Sequence, residues 1–276
     1  IRFFLFSTPI LSSPRRLPLG DTYFPIFIPL CIGGGGQPER KWVQSLGGVG
    51  EWDMKILLTG ARGQLGHAVQ TVFLDHEICA YSREQLDIVQ LDAVREAIAA
   101  DQPDLVLNAA AYNAVDQAEA DPEAAYRGNA LGPRNLALVT AAHGIPLLHV
   151  STDFVFDGRS RRPYHEFDHP NPQSVYGASK LAGEDAVRTL NAKHYIVRTA
   201  WVYHNVGKNF IKTMYELSHR SQVQVVNDQF GSPTYAPHLA VALAQLIETE
   251  TFGMYHFAGH GGTSRLELTQ TLYGLL

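Results

Sequence analysis

The sequence predicts an α/β fold, a doubly wound parallel sheet of Rossmann type, and three observations predict it. Short apolar runs recur without polar alternation, helical periods separate them, and a glycine turn joins the first run to the first helix. The series begins at Met54. Residues 55–59 (KILLT) read as a buried strand and 60–66 as the glycine turn. A helix follows over 64–74, with apolar positions Leu65, Val69, Val72 and Phe73. Residues 78–81 read as a second strand, and 91–100 as a helix stopped before Pro103. Residues 104–108 form a third strand, with Leu105, Val106 and Leu107 between polar ends. An Ala-rich helix is expected over 124–143, closed by Gly144. Residues 146–150 and 193–198 supply two more apolar strands. No repeat of 20–50 residues is visible.

Composition narrows the function classes. The chain has 276 residues, 45% hydrophobic and 18% charged, with a net charge of −5 and no basic block. This excludes a general nucleic-acid binder. Two cysteines, Cys31 and Cys79, make neither a disulfide framework nor a zinc site. Residues 1–53 differ from the rest: they hold six of the fifteen prolines and the run 33–36 of four glycines. Their apolar patches, 1–6 and 23–32, are shorter than the ~20 residues of a bilayer span. Arg15 and Arg16 follow the first patch instead of preceding it, unlike a signal peptide. The expectation is a natural start at Met54, with 1–53 a disordered or non-native extension. A cofactor-binding Rossmann domain is expected over 54–200 and a partial substrate lobe over 201–276. A cytoplasmic, non-membrane protein is the corresponding expectation for localisation.

Gly60, Gly63 and Gly66 are spaced G-x-x-G-x-x-G between strand and helix. Such glycines let the backbone turn tightly, approach a pyrophosphate and pack the helix on the sheet, while the helix N-terminus offers unpaired N–H groups. The turn, Gly60-Ala-Arg62-Gly63-Gln64-Leu65-Gly66, therefore points to a dinucleotide. Where NAD enzymes carry an acidic residue after the second strand, this chain has Tyr81-Ser82-Arg83. Arg83, and Arg62 in the turn, suit a 2′-phosphate, so the cofactor leans to NADPH, with NADH as the alternative.

The chemistry lies further on. Tyr176 and Lys180 are four apart, hence on one helix face. A lysine ammonium near a tyrosine favours the phenolate, and a drop of ~3 units represents about 4 kcal/mol. Strand 146–150 delivers Ser151, Thr152 and Asp153 at its carboxyl end, where ligands of such sheets bind. Thr152 can hydrogen-bond the carbonyl oxygen that Tyr176 protonates.

These residues resemble the extended short-chain dehydrogenase/reductase superfamily and, within it, the dTDP-4-dehydrorhamnose reductases. The matching stretches are MKILLTG at 54–60, NAAA at 108–111, STDFVFDG at 151–158, YGASKLAGE at 176–184, RTAWVY at 198–203 and NDQFGSPT at 227–234. Their ordered set covers nearly all of 54–276. The resemblance implies NADPH-dependent reduction of the 4-keto group of dTDP-4-dehydro-6-deoxy-L-mannose, with Thr152, Tyr176 and Lys180 as the catalytic set. It implies that Tyr176 gives a proton to the sugar oxygen, that Lys180 also holds the nicotinamide ribose, and that Asn108, Ala109 and Ala110 line the cofactor. Asp153, Trp201, Asn227, Gln229 and Phe230 would meet the nucleotide sugar. A homodimer and Mg²⁺ at a subunit contact enter by resemblance alone.

Phe154 stands where dehydratases of the superfamily carry Glu, which favours a simple reductase. The chain stops within a helical pattern at 264–276, short of the family's length, so a fragment of the substrate lobe is expected. Two alternatives stay open: a non-catalytic NADP-binding regulatory subunit, and another nucleotide-sugar reductase or epimerase. His165 and His169 have the spacing of a helical metal pair, but Pro163, Pro170 and Pro172 make that stretch a loop. No metal site is expected from the sequence.

Overall fold

A computed structural model describes residues 54–276; the expectations for 1–53 lie outside the described residues. The elements, in order, are β1 (Lys55–Thr59), α1 (Gln64–Val72), β2 (Glu77–Tyr81), α2 (Leu91–Asp101), β3 (Leu105–Asn108), α3 (Val115–Ala120), α4 (Pro122–Tyr126), α5 (Gly132–Ala142) and β4 (Leu147–Thr152). There follow α6 (Val175–Leu190), β5 (His194–Thr199), β6 (Val202–Tyr203), α7 (Phe210–Leu217), β7 (Phe230–Gly231), β8 (Thr234–Tyr235), α8 (Ala236–Ile247), β9 (Gly253–His256), β10 (Thr263–Ser264) and α9 (Arg265–Gly274).

Six strands form one parallel sheet in the order β2-β1-β3-β4-β5-β9. Both faces are covered, which is why β1 and β3 are apolar throughout their middles: Ile56, Leu57, Leu58, Val106 and Leu107 are fully buried. Leu57 and Val106 share a core cluster with Val94 and Ile98 of α2, Leu136 of α5 and Ile196 of β5. The chain leaves β1 toward β2 on one side and returns to β3 on the other. The reversal lies between β1 and β3, where Thr59 is in register with Asn108. Ligands of open α/β sheets bind at such a crevice, beyond the carboxyl ends of the strands.

Two expectations change. The helix expected over 124–143 is three pieces: α4, a π segment over Arg127–Leu131, and α5. Pro133 has no N–H to give to the residue four earlier, and the Gly132 N–H reaches back five residues to the Arg127 carbonyl. The widened turn carries Asn129 inward, where its amide bonds Tyr112 N–H, Tyr112 C=O and Ser179 Oγ. The second change is β9, which comes from the region after residue 200 yet completes the main sheet beside β5. That region otherwise forms two-stranded ribbons, β6 with β8 and β7 with β10.

Candidate active site

The glycine turn lies at the β1–β3 crevice. Gly60 has φ +77°, and a Cβ there would stand 2.6 Å from the Ala109 carbonyl carbon and the Ala110 nitrogen. A Cβ on Gly66 would run into the Gly60 carbonyl, so α1 packs against the turn only without one. Gly60, Arg62, Gly63, Arg83, Ala109 and Ala110 line a cavity of about 700 Å³, which continues to Tyr112 and Asn113. That volume is within the range of cofactor sites. α1 begins at Gln64 with no side-chain cap, leaving first-turn N–H groups for an anion. The donor set therefore fits a dinucleotide pyrophosphate.

The other cofactor candidates support the cavity wall. Gln64 Oε1 accepts from Asn209 Nδ2 at 3.0 Å, and Leu65 and Gly66 are on the buried face of α1. Asn108 is buried, accepting the Ala110 N–H (3.1 Å) and Thr59 Oγ1–H (2.7 Å) on Oδ1. Arg62 is paired with Glu84 at 3.1 Å, both ends mostly exposed. Glu84, which the motif reading did not weigh, lines the cavity beside Arg83.

β4 delivers Thr152, whose Oγ1 donates to Asp153 Oδ1 at 3.0 Å and accepts the Phe154 N–H at 3.2 Å. These bonds close a 3₁₀ turn over Asp153–Val155. α6 opens on Ser174, which caps the Gly177 N–H at 3.1 Å. Tyr176, in its first turn, sits edge-on to Phe154 with ring centroids 5.4 Å apart. Its hydroxyl donates to Asn113 Oδ1 at 3.4 Å, and Asn113 lines the cofactor-sized cavity. One turn later, Lys180 Nζ donates to the Val150 carbonyl at 2.7 Å and lies 3.5 Å from His149 Nε2.

Burial, not the lysine, dominates the tyrosine. It pushes Tyr176 up to about 12, Thr152 acts in the opposite direction by hydrogen bonding, and the Asp153 charge adds to the rise. The expected lowering by Lys180 is not among the influences on Tyr176, and Lys180 Nζ is turned to the Val150 carbonyl. Burial likewise draws Lys180 down to about 8 against the favourable charge of Glu184.

Asp153 is buried, and burial raises it to about 6, partly opposed by its bond to Thr152 and by Arg265. Its Oδ2 has no hydrogen-bond partner among the described residues. Trp201 holds φ +47°, a conformation rare for a bulky residue. The Arg265 guanidinium lies 3.6 Å over the Trp201 ring and 4.5 Å from the Phe210 ring. Arg265 thus gathers Asp153 and Trp201 into one group. Asn227, Gln229 and Phe230 form an exposed edge beyond it; the Gln229 carbonyl accepts the Arg265 N–H at 3.2 Å.

Arg265, Asn113 and His149 escaped the motif reading. For Arg265 a signal existed: Ser264-Arg-Leu-Glu267 is a capping box, which starts α9 and sets the arginine at its first turn. Among the described residues no group of three His, Cys, Asp or Glu is placed to hold a metal ion. The His165–His169 loop is bound internally, His169 Nδ1 meeting the Pro170 carbonyl at 2.7 Å. No helix of the described residues is long and apolar enough to cross a membrane.

The parallel sheet carries a glycine turn at its switch point, and Thr152 lies at an adjoining strand end with Tyr176 and Lys180 on the helix that follows. A family profile described as the RmlD substrate binding domain matches residues 54–274, and the chain belongs to that family. The dTDP-4-dehydrorhamnose reductase of Streptomyces griseus is 44% identical over 231 residues, covering 80% of this chain and 75% of that protein. The one from Aggregatibacter actinomycetemcomitans is 41% identical over 215 residues, covering 74% and 73%. The structure of dTDP-4-dehydrorhamnose reductase from Bacillus anthracis in complex with NADP superposes with a TM-score of 0.80. It is 38% identical and 82% of each chain is covered.

Proposed function

We propose that the protein reduces the 4-keto group of dTDP-4-dehydro-6-deoxy-L-mannose, giving dTDP-L-rhamnose, with NADPH as the preferred reductant. The relatives above carry that activity in their names, and one structural neighbour holds NADP. One observation carries the chemistry: the Tyr176 hydroxyl meets Asn113, which lines the same cavity as the glycine turn. We assign residues 54–200 to the cofactor and the loops of 201–276 to the nucleotide sugar.

When bound, the reduced nicotinamide supplies a hydride. The residues supply the proton and the position. Tyr176, held up at about 12 by burial, stays protonated at neutral pH and is ready to donate its O–H proton to the developing alkoxide. Thr152, beside it, turns its hydroxyl proton from Asp153 Oδ1 to give a second hydrogen bond to the same oxygen. Lys180 stands one helical turn behind the tyrosine, and the glycine turn with Arg62 and Arg83 binds the phosphates. Asp153, Trp201, Asn227, Gln229 and Phe230, with Arg265, receive the sugar nucleotide. A homodimer and a cytoplasmic location accompany this reading.

The test is oxidation of NADPH by the purified chain with dTDP-4-dehydro-6-deoxy-L-mannose, beside Tyr176→Phe. Turnover that depends on Tyr176 is expected. Tight NADP binding without turnover would replace the reductase with a regulatory binding subunit.

A further inference from the structure

We propose that His149 is a positioning residue for Lys180, locked with its proton on Nε2 so that an N–H faces the lysine amine and favours the neutral amine over the ammonium. The proposal deepens the reading above, in which Lys180 acts behind Tyr176.

The lock follows from donor and acceptor accounting. Thr59, Asn108 and His149 are register partners on the adjacent strands β1, β3 and β4, so they form a polar row across the sheet, at the ends of β1 and β3 and within β4. All three are buried. Asn108 Oδ1 takes the backbone N–H of Ala110 at 3.1 Å, and a backbone N–H can only donate. Its amide is therefore oriented with Nδ2 toward His149 Nδ1, 2.9 Å away, and Thr59 Oγ1–H on Oδ1 at 2.7 Å agrees. The amide NH₂ can only donate, so His149 Nδ1 accepts and carries no proton. A neutral ring then bears its proton on Nε2. Burial and the neighbouring lysine both hold the ring neutral.

Nε2 lies 3.5 Å from Lys180 Nζ. An ammonium there opposes one donor to another, whereas a neutral amine offers a lone pair to the Nε2–H. The other groups around Nζ do not reverse this. The Val150 carbonyl accepts from either form. Glu184, one turn along α6, is shared with Arg198 of β5 through Nε at 2.9 Å and Nη2 at 2.6 Å, and with Ser151 of β4 at 2.5 Å. Tyr176 stands one turn back, Asp153 on the 3₁₀ turn, and neutral Asn129 on the π segment bonds Ser179. His149 thus eases proton release by Lys180, and Asn108 ties that release to the wall of the cofactor cavity through Ala110.

Nuclear magnetic resonance of the full chain, labelled with ¹⁵N in histidine rings and ¹³C at lysine Cε, tests both parts. Lys180 is assigned through Lys180→Arg. His149 is expected to show a bare Nδ1 and a protonated Nε2 from pH 6 to 9 on the unaltered protein. A proton on Nδ1, or a cationic ring, overturns the proposal without any variant. In His149→Phe the Lys180 midpoint is expected to rise by about one pH unit; an unchanged midpoint in the folded variant also overturns it. Neither reading uses turnover, so inactivity toward the 4-keto sugar would remove the reductase assignment and leave this one intact.

Discussion

Tyr176 and Asp153 show how burial sets the charge state of single groups at this site. A tyrosine at about 12 keeps its proton throughout the neutral range but is a weaker acid than an unburied phenol, so burial fixes its charge state and does not activate it. Tyr176→Phe should lower kcat by roughly 10²–10⁴-fold and leave NADPH affinity, read by fluorescence titration, within about twofold. Asp153 makes a second prediction. Its carboxyl sits at about 6 when folded and near the ordinary 3.8 when unfolded, so between those values the folded chain binds more protons. Stability should therefore fall as pH rises from 4 to 6, by at most about 1.4 kcal/mol per unit from this group. Urea melts at pH 4, 5 and 6 should show that slope, and Asp153→Asn should flatten it. That Tyr176 and Lys180 share one helix face and that Thr152 stands at a strand end was legible in the sequence. Their proton affinities were not, because burial and the Val150 carbonyl are tertiary facts.

The elements that position these groups depend on close backbone approach and one buried ion pair. A Cβ on Gly183 would strike the Asn129 carbonyl, so α6 can lie against the π segment only with glycine there. The Gly132-Pro133 pair was visible in the sequence, but the Ala-rich run 124–143 reads as a single helix because no sequence pattern marks the i→i+5 turn that the packing of Asn129 brings about. Glu184 and Arg198 were each visible in separate motifs, and only the α6–β5 packing joins them, 2% exposed, through three hydrogen bonds. Removing one partner strands the other charge. Glu184→Gln should cost roughly 3–5 kcal/mol in denaturant melts. A change below about 1 kcal/mol would mean that water reaches the pair.

At the scale of the whole molecule, the doubly wound sheet was legible because parallel strands buried on both faces must be apolar throughout. The sixth strand was not, since Gly-Met-Tyr-His at 253–256 lacks that signature and gains its place only from β5. The switch point between β1 and β3 gathers Gly60, Arg62 and Arg83 around one cavity, so cofactor choice is a property of the assembled crevice. Arg62 is exposed and held by an exposed Glu84, a pair worth little, so it is available to a phosphate. A ligand at one hundred times its Kd stabilises the folded state by about 2.7 kcal/mol, which for a domain of this size raises Tm by roughly 5–11 °C. NADPH should therefore raise Tm more than NADH at equal concentration. Arg83→Ala should remove most of that difference, weakening NADPH by about ten- to a hundredfold while leaving NADH within about twofold. Equal loss for both cofactors would place Arg83 on the shared pyrophosphate and assign the 2′-phosphate to Arg62.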